Sequence, residues 1–164
     1  MITVPALTER PEAHYVAIDV VAHMDDLPTV IPEIFDELFP WVEARGVDPT
    51  GASFIKYDVI SMPERLQMQF AIQVDEPLEG DDRVHSGTIP AGVYGVVTHT
   101  GPNNELYDVT AVLIGWAKER SIEWDAHDTP EGQAFASRVE RYLVDPGDDP
   151  DPSKWVTEVA IKTR

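Results

Sequence analysis

The sequence predicts an α+β fold in which two tandem β-α-β-β units share one antiparallel sheet, with two helices on one face and a groove on the other. Three observations carry this expectation. Hydrophobic residues recur at strand spacing, then helix spacing, then strand spacing again, and the series occurs twice. The second series matches the first in residue type as well as in order. The length, 164 residues, suits one domain with its own core, divided into repeats at about 12–75 and about 90–163.

The first strand is expected over His14 to Ala22, where Val16, Ile18 and Val20 share one face. Asp25 and Asp26 mark a turn. The stretch "PTVIPEIFDELFPWVEARG" then sets Ile31, Ile34, Phe35, Leu38 and Val42 at helical spacing. Pro40 is expected to interrupt or kink this helix, and Gly46 suits its end. "ASFIKYDVI" and "LQMQFAIQV" follow as strands. In the latter, Leu66, Met68, Phe70, Ile72 and Val74 alternate with Gln67, Gln69, Ala71 and Gln73, which gives one buried and one polar face. The acidic, turn-rich segment from Glu76 to Gly87 reads as a connector.

The pattern then restarts. "GVYGVVTHT" is a strand and "GPNN" a turn. "ELYDVTAVLIGWAKER" is a helix with Leu106, Val109, Leu113 and Trp116 on one stripe. "AFASRVERYLV" is expected as a strand, "DPGDDPDP" as an exposed turn, and "KWVTEVAIKT" as the closing strand. Self-comparison aligns "WVEARG" with "WAKERS", so that Trp41 matches Trp116 and Arg45 matches Arg120. It also aligns "IKYDV" with "ERYLV", matching Tyr57 to Tyr142, and "QFAIQV" with "EVAIKT", matching Gln69 to Glu158.

Each helix must bury its stripe on its own strands. In the closing strand Trp155, Val159 and Ile161 supply that face, so Glu158, Val156 and Ala160 point to the other. With the two units side by side, those opposite faces form a shared groove that contains Glu158.

Composition narrows the function classes. Twelve basic residues against thirty acidic ones give a net charge of −18, which opposes direct nucleic-acid binding and favours cationic partners. No apolar run is long enough to span a membrane, and no signal peptide is visible at the N-terminus. The absence of cysteine excludes disulfides, thiol nucleophiles and cysteine-ligated zinc, and fits a cytoplasmic protein. Glu123, Asp125, His127 and Asp128 cluster in "EWDAHD", but neither this run nor "DPGDDPDP" has calcium-loop spacing; both read as solvated loops, with no metal or cofactor expected.

The order strand, helix, strand, strand, repeated, resembles the GyrI-like effector-binding domain, the ligand-sensing part of multidrug-responsive transcription regulators. The matching stretches are "AGVYGVVTHTGPNNEL", "GWAKER", "ERYLVDP" and the terminal "TEVAIKT". The resemblance implies a cleft between the repeats that binds organic cations, with a buried glutamate of the last strand as anchor, here Glu158. No helix-turn-helix precedes Tyr15, so a stand-alone form without its own DNA-binding segment is expected. The family's usual Ile-Pro ending is replaced by "AIKT".

Glu158 is thus the expected counter-charge for a small hydrophobic cation, since a buried carboxylate without a partner is costly. The alternative is a salt bridge to a neighbouring cation such as Arg141, or exposure at a sheet edge. Tyr57, Tyr142 and Tyr94 are candidate groove walls, able to add cation–π attraction of roughly 0.5–2 kcal/mol each. Trp116 and His99 complete the candidate ligand-binding set, although Trp116 on its helix stripe also suits the core and His99 also suits a satisfied turn. Two other functions remain open. Relatives that hydrolyse cyclopropane-type drugs would use Glu158 as general base, and an acidic inhibitor of a topoisomerase would use the surface charge. A protein partner or a homodimer is compatible with each.

Overall fold

The computed structural model describes all 164 residues, Met1–Arg164. Ten strands and two α-helices follow in the order β1 (Ala6–Arg10), β2 (Ala13–Ala22), α1 (Leu27–Glu43), β3 (Ser53–Ser61), β4 (Arg65–Val74), β5 (His85–Ile89), β6 (Gly92–Thr100), α2 (Leu106–Glu119), β7 (Ala126–Thr129), β8 (Gly132–Phe135), β9 (Arg138–Val144) and β10 (Val156–Lys162). One sheet runs β1-β6-β10-β9-β3-β4-β2-β5, with the β7–β8 hairpin attached to β3. The strands β2, β4 and β3 of the first unit correspond to β6, β10 and β9 of the second. The units meet where β3 pairs with β9, Ser53 opposite Tyr142 and Lys56 opposite Val139. The α+β class and the paired units are those the sequence predicts.

The leading strands are exchanged. Only Pro11 and Glu12 separate β1 from β2, yet β1 lies on β6 of the other unit, with Arg10 opposite Gly92. Likewise only Pro90 and Ala91 separate β5 from β6, and β5 lies on β2, with Ile89 opposite Ala13. The sheet therefore curls until its two ends adjoin. Proline has no N–H to give to a ladder, and Pro11 and Pro90 occupy the points where this ribbon is interrupted.

Alternation along the strands divides the core. On the outer side, Phe35, Leu38 and Val42 of α1 pack on Val16, Ile18, Ile55, Phe70 and Ile72. Val109 and Leu113 of α2 pack on Val97, Val159 and Ile161. Inside the curl, Tyr15, Phe54, Tyr94, Val96, Val139 and Ala160 form a second apolar layer. The groove side is thus largely filled, and the central strands are buried on both faces.

Several elements differ from expectation. The connector contains the start of β5, and "WDAHDTPEG" forms most of the β7–β8 hairpin. "AFASRVERYLV" breaks at Ala136 and Ser137 into β8 and β9. Helix α1 runs through both Pro32 and Pro40, which lie on its exposed side. Trp155 precedes β10 and stays outside the core clusters, its indole N–H donating to the Asp149 carbonyl at 2.8 Å.

The two helix ends repeat in detail. Arg45 lies 3.3 Å from the Trp41 ring centroid and Arg120 4.9 Å from that of Trp116. Each arginine also donates to its tryptophan's carbonyl, at 3.0 and 3.3 Å. Gly46 has φ 67°, and its counterpart Ser121 has φ 54°, a left-handed conformation that costs a residue with a Cβ more than glycine. Ser121→Gly is therefore expected to stabilise the fold by about 0.5–1 kcal/mol in denaturant unfolding, whereas a loss of stability would contradict the assigned helix end.

Candidate functional site

Beside the strand-exchange ribbon lies a cleft of about 150 Å³, lined by Arg10, Pro11, Ala13, Gln73, Ile89, Tyr94, Val139, Arg141, Glu158 and Ala160. Glu158 reaches it by the alternation of β10, which sends Val159 and Ile161 to the α2 side. Its cross-strand neighbours are Thr98 on β6 and Arg141 on β9. Arg10 arrives from the opposite unit as the last residue of β1.

Glu158 is 9% exposed and is not free. Arg10 Nη2 donates to its Oε2 at 2.8 Å. Arg141 Nε stands 3.8 Å from Oε1, beyond hydrogen-bond reach, and Oε1 has no hydrogen-bond partner. Arg141 instead donates from Nη1 to Gln73 Oε1 at 2.9 Å and lies 5.4 Å from the Phe54 ring centroid. Burial lowers the Arg141 pKa, against the pull of Glu158. Glu158 thus already has a protein cation, as the salt-bridge alternative expected, but the hydrogen-bonded partner is Arg10 of β1 and not Arg141. An unpaired buried charge would cost several kcal/mol, and the strand exchange supplies a guanidinium that offsets this.

Of the other sequence candidates, only Tyr94 lines the cleft, 1% exposed, with its hydroxyl donating to the Pro90 carbonyl at 2.5 Å. Tyr57 and Tyr142 do not form groove walls. They lie on the helix side, where their hydroxyls donate to Glu140 Oε1 at 2.8 and 3.1 Å. The β3–β9 register sends this pair outward and Phe54 and Val139 inward. Trp116 packs on the outer cluster beneath α2, away from the cleft. His99 is 3% exposed and sits 2.9 Å from Glu105 just before α2, outside the cleft lining. No three His, Asp or Glu side chains are placed to hold a metal ion.

In the first unit Tyr15, Lys56 and Gln69 stand where Tyr94, Arg141 and Glu158 stand in the second. There the polar groups satisfy one another. Tyr15 donates to Gln69 Oε1 at 2.6 Å, Gln69 Nε2 donates to Asp58 Oδ2 at 2.7 Å, and Lys56 pairs with Asp58. Burial, together with Asp58 and Asp19, pushes the Tyr15 phenol up to about 12. The chemically unfinished half of the interior is the one with Glu158. Sequence reasoning missed Arg10, Ile89 and Gln73. The matched Pro11 and Pro90 were the available signal for the ribbon that carries the first two.

A family model described as the GyrI-like small molecule binding domain matches residues 5–164. No curated protein matches the chain. Among solved structures, EcmrR in its DNA complex is similar with a TM-score of 0.77 and 21% identity, covering 98% of this chain and 57% of that one. This chain thus spans a little over half of the EcmrR chain. The EcmrR C-terminal domain alone gives a TM-score of 0.76 at 22% identity, over 98% of this chain and 97% of that one. SAV2435 bound to tetraphenylphosphonium gives 0.62 at 11% identity, over 99% and 94%. At these identities the likeness establishes the fold.

The Glu140 cluster yields a pH prediction. Burial raises the Glu140 carboxyl above its ordinary range, while Tyr57, Tyr142 and Arg138 act the other way. The folded state then holds this proton more tightly than the unfolded chain. The associated stability is fully present below the unfolded pKa and is lost as pH rises through the folded one. Unfolding free energies measured from about pH 4 to 8 should fall less with rising pH in Glu140→Gln than in wild type. Parallel curves would contradict the assignment.

Proposed function

The chain belongs to the GyrI-like small-molecule binding domains, and on that footing we propose that its cleft binds a small hydrophobic molecule, for sensing or sequestration, whose cationic group replaces Arg10 at Glu158. The observation that carries this reading is the state of Glu158. It is a buried carboxylate with one oxygen unpartnered, at the wall of a cleft whose lining is half apolar, held by a cation from a partly exposed strand.

Arg10 keeps a third of its side chain exposed, so it can return to water at modest cost. An incoming cation would then regain the pairing that burial of Glu158 demands, and its apolar body would cover Ile89, Tyr94, Val139 and Ala160. Exchange of Arg10 for a ligand cation leaves the charge balance beside Arg141 and Glu158 unchanged. The net charge of −18 draws cations toward the surface. SAV2435, similar in fold, is bound to tetraphenylphosphonium, which makes that cation a reasonable first probe.

Binding is tested by calorimetry with tetraphenylphosphonium and a fluorescent lipophilic cation. Glu158→Gln should weaken binding about 10-fold, because it removes the negative charge that attracts the cation through space, about 1.4 kcal/mol of coulombic interaction. Arg10→Met should tighten binding several-fold by removing the internal competitor. Equal affinity in all three proteins would overturn the role given to Glu158. Consumption of ligand beyond one equivalent of protein would point to a hydrolase instead.

A further inference from the structure

Four buried side-chain polar atoms of this chain have no hydrogen-bond partner, and two of them belong to one ion pair, Arg10 Nε and Glu158 Oε1. A guanidinium and a carboxylate can form two parallel N–H···O bonds. Here only one forms, from Arg10 Nη2 to Oε2 at 2.8 Å. Arg10 is tethered as the last residue of β1, its backbone fixed opposite Gly92 and Pro11 following it. From that position it leaves a buried donor and a buried acceptor unused, and each costs stability. The other polar side chains of the cleft do not complete the set. Arg141 Nε stays 3.8 Å from Oε1 while Arg141 Nη1 donates to Gln73, and Tyr94 donates to the Pro90 carbonyl. Arg10, Arg141 and Glu158 are the only charged residues in the lining.

The unused acceptor specifies a head group. Resting on the reading that a cation replaces Arg10 at Glu158, we propose that the cleft selects amidinium and guanidinium groups on an apolar body over quaternary ammonium or phosphonium cations. An untethered amidinium can turn to give one hydrogen to each carboxylate oxygen, including the Oε1 that Arg10 leaves bare. A quaternary cation brings charge without a hydrogen. It gains coulombic attraction, but it removes the Arg10 bond to Oε2 and leaves both oxygens of a buried carboxylate without a donor. A primary ammonium donates hydrogens, yet it is more strongly hydrated and lacks the planar fork that matches a carboxylate. The apolar body would lie on Ile89, Tyr94, Val139 and Ala160. The internal occupant of the site is thus an imperfect copy of its best ligand.

Benzamidinium and phenyltrimethylammonium, monocations with one phenyl ring each, separate the two chemistries in calorimetry on the full chain. Benzamidinium should bind wild type about tenfold more tightly. The difference should disappear when Arg10→Met and Glu158→Leu are combined, which replaces the ion pair by an apolar one. Chemical rescue gives a second readout. Arg10→Ala, which leaves Glu158 unpaired, should lower the unfolding midpoint. Millimolar ethylguanidinium should recover part of that loss, and tetramethylammonium at the same ionic strength should recover none. Equal affinity of the two phenyl cations for wild type would overturn the selectivity while leaving a cation site at Glu158 intact. A benzamidinium preference that survives the double variant would overturn both the selectivity and the role of Glu158. Absence of benzamidinium binding, or equal rescue by both small cations, would also overturn the proposal.

Discussion

Two short links set the shape of this molecule. From Arg10 to Ala13 the chain can span at most about 11 Å, and the link from Ile89 to Gly92 is equally short. Yet β1 and β2 are six strand spacings apart in the sheet, which in a flat sheet would be about 29 Å. A flat sheet is therefore impossible with this pairing. The sheet must curl, its ends must adjoin, and the face away from the helices must become an interior.

The remaining features follow from that constraint. The interior is too narrow to stay empty, so Tyr15, Phe54 and Tyr94 fill most of it. The exchange of leading strands carries Arg10 to Glu158, and this pairing makes a buried carboxylate tolerable. The same exchange leaves Arg10 at the rim, where solvent reaches it. The two units have diverged within one geometry. Gln69 closes a satisfied network in the first, and Glu158 leaves an unfinished one in the second.

Much of this was legible in the sequence, and the failures share a cause. The helix stripes, the paired helix ends and the inward direction of Glu158 are local properties of spacing, and they hold in the structure. Strands β1 and β5 were missed because each is short and lies at a sheet edge, with mostly exposed or half-buried residues and no strong alternation. The direction of Tyr57 and Tyr142 depends on how β3 meets β9, a pairing between units that no local pattern encodes. Arg10 was missed for the same reason, since it stands 148 positions from Glu158 along the chain.

The proposed exchange of Arg10 for a ligand at Glu158 is tested most directly by the nitrogen-resolved NMR signals of the arginine side chains. In the free protein the Arg10 guanidinium should show slowed exchange with water, as expected for a charge held on a carboxylate. On saturation with tetraphenylphosphonium that protection should disappear while Arg141, held by Gln73, keeps its own. An Arg10 signal that stays protected and unshifted while the ligand binds would contradict the account.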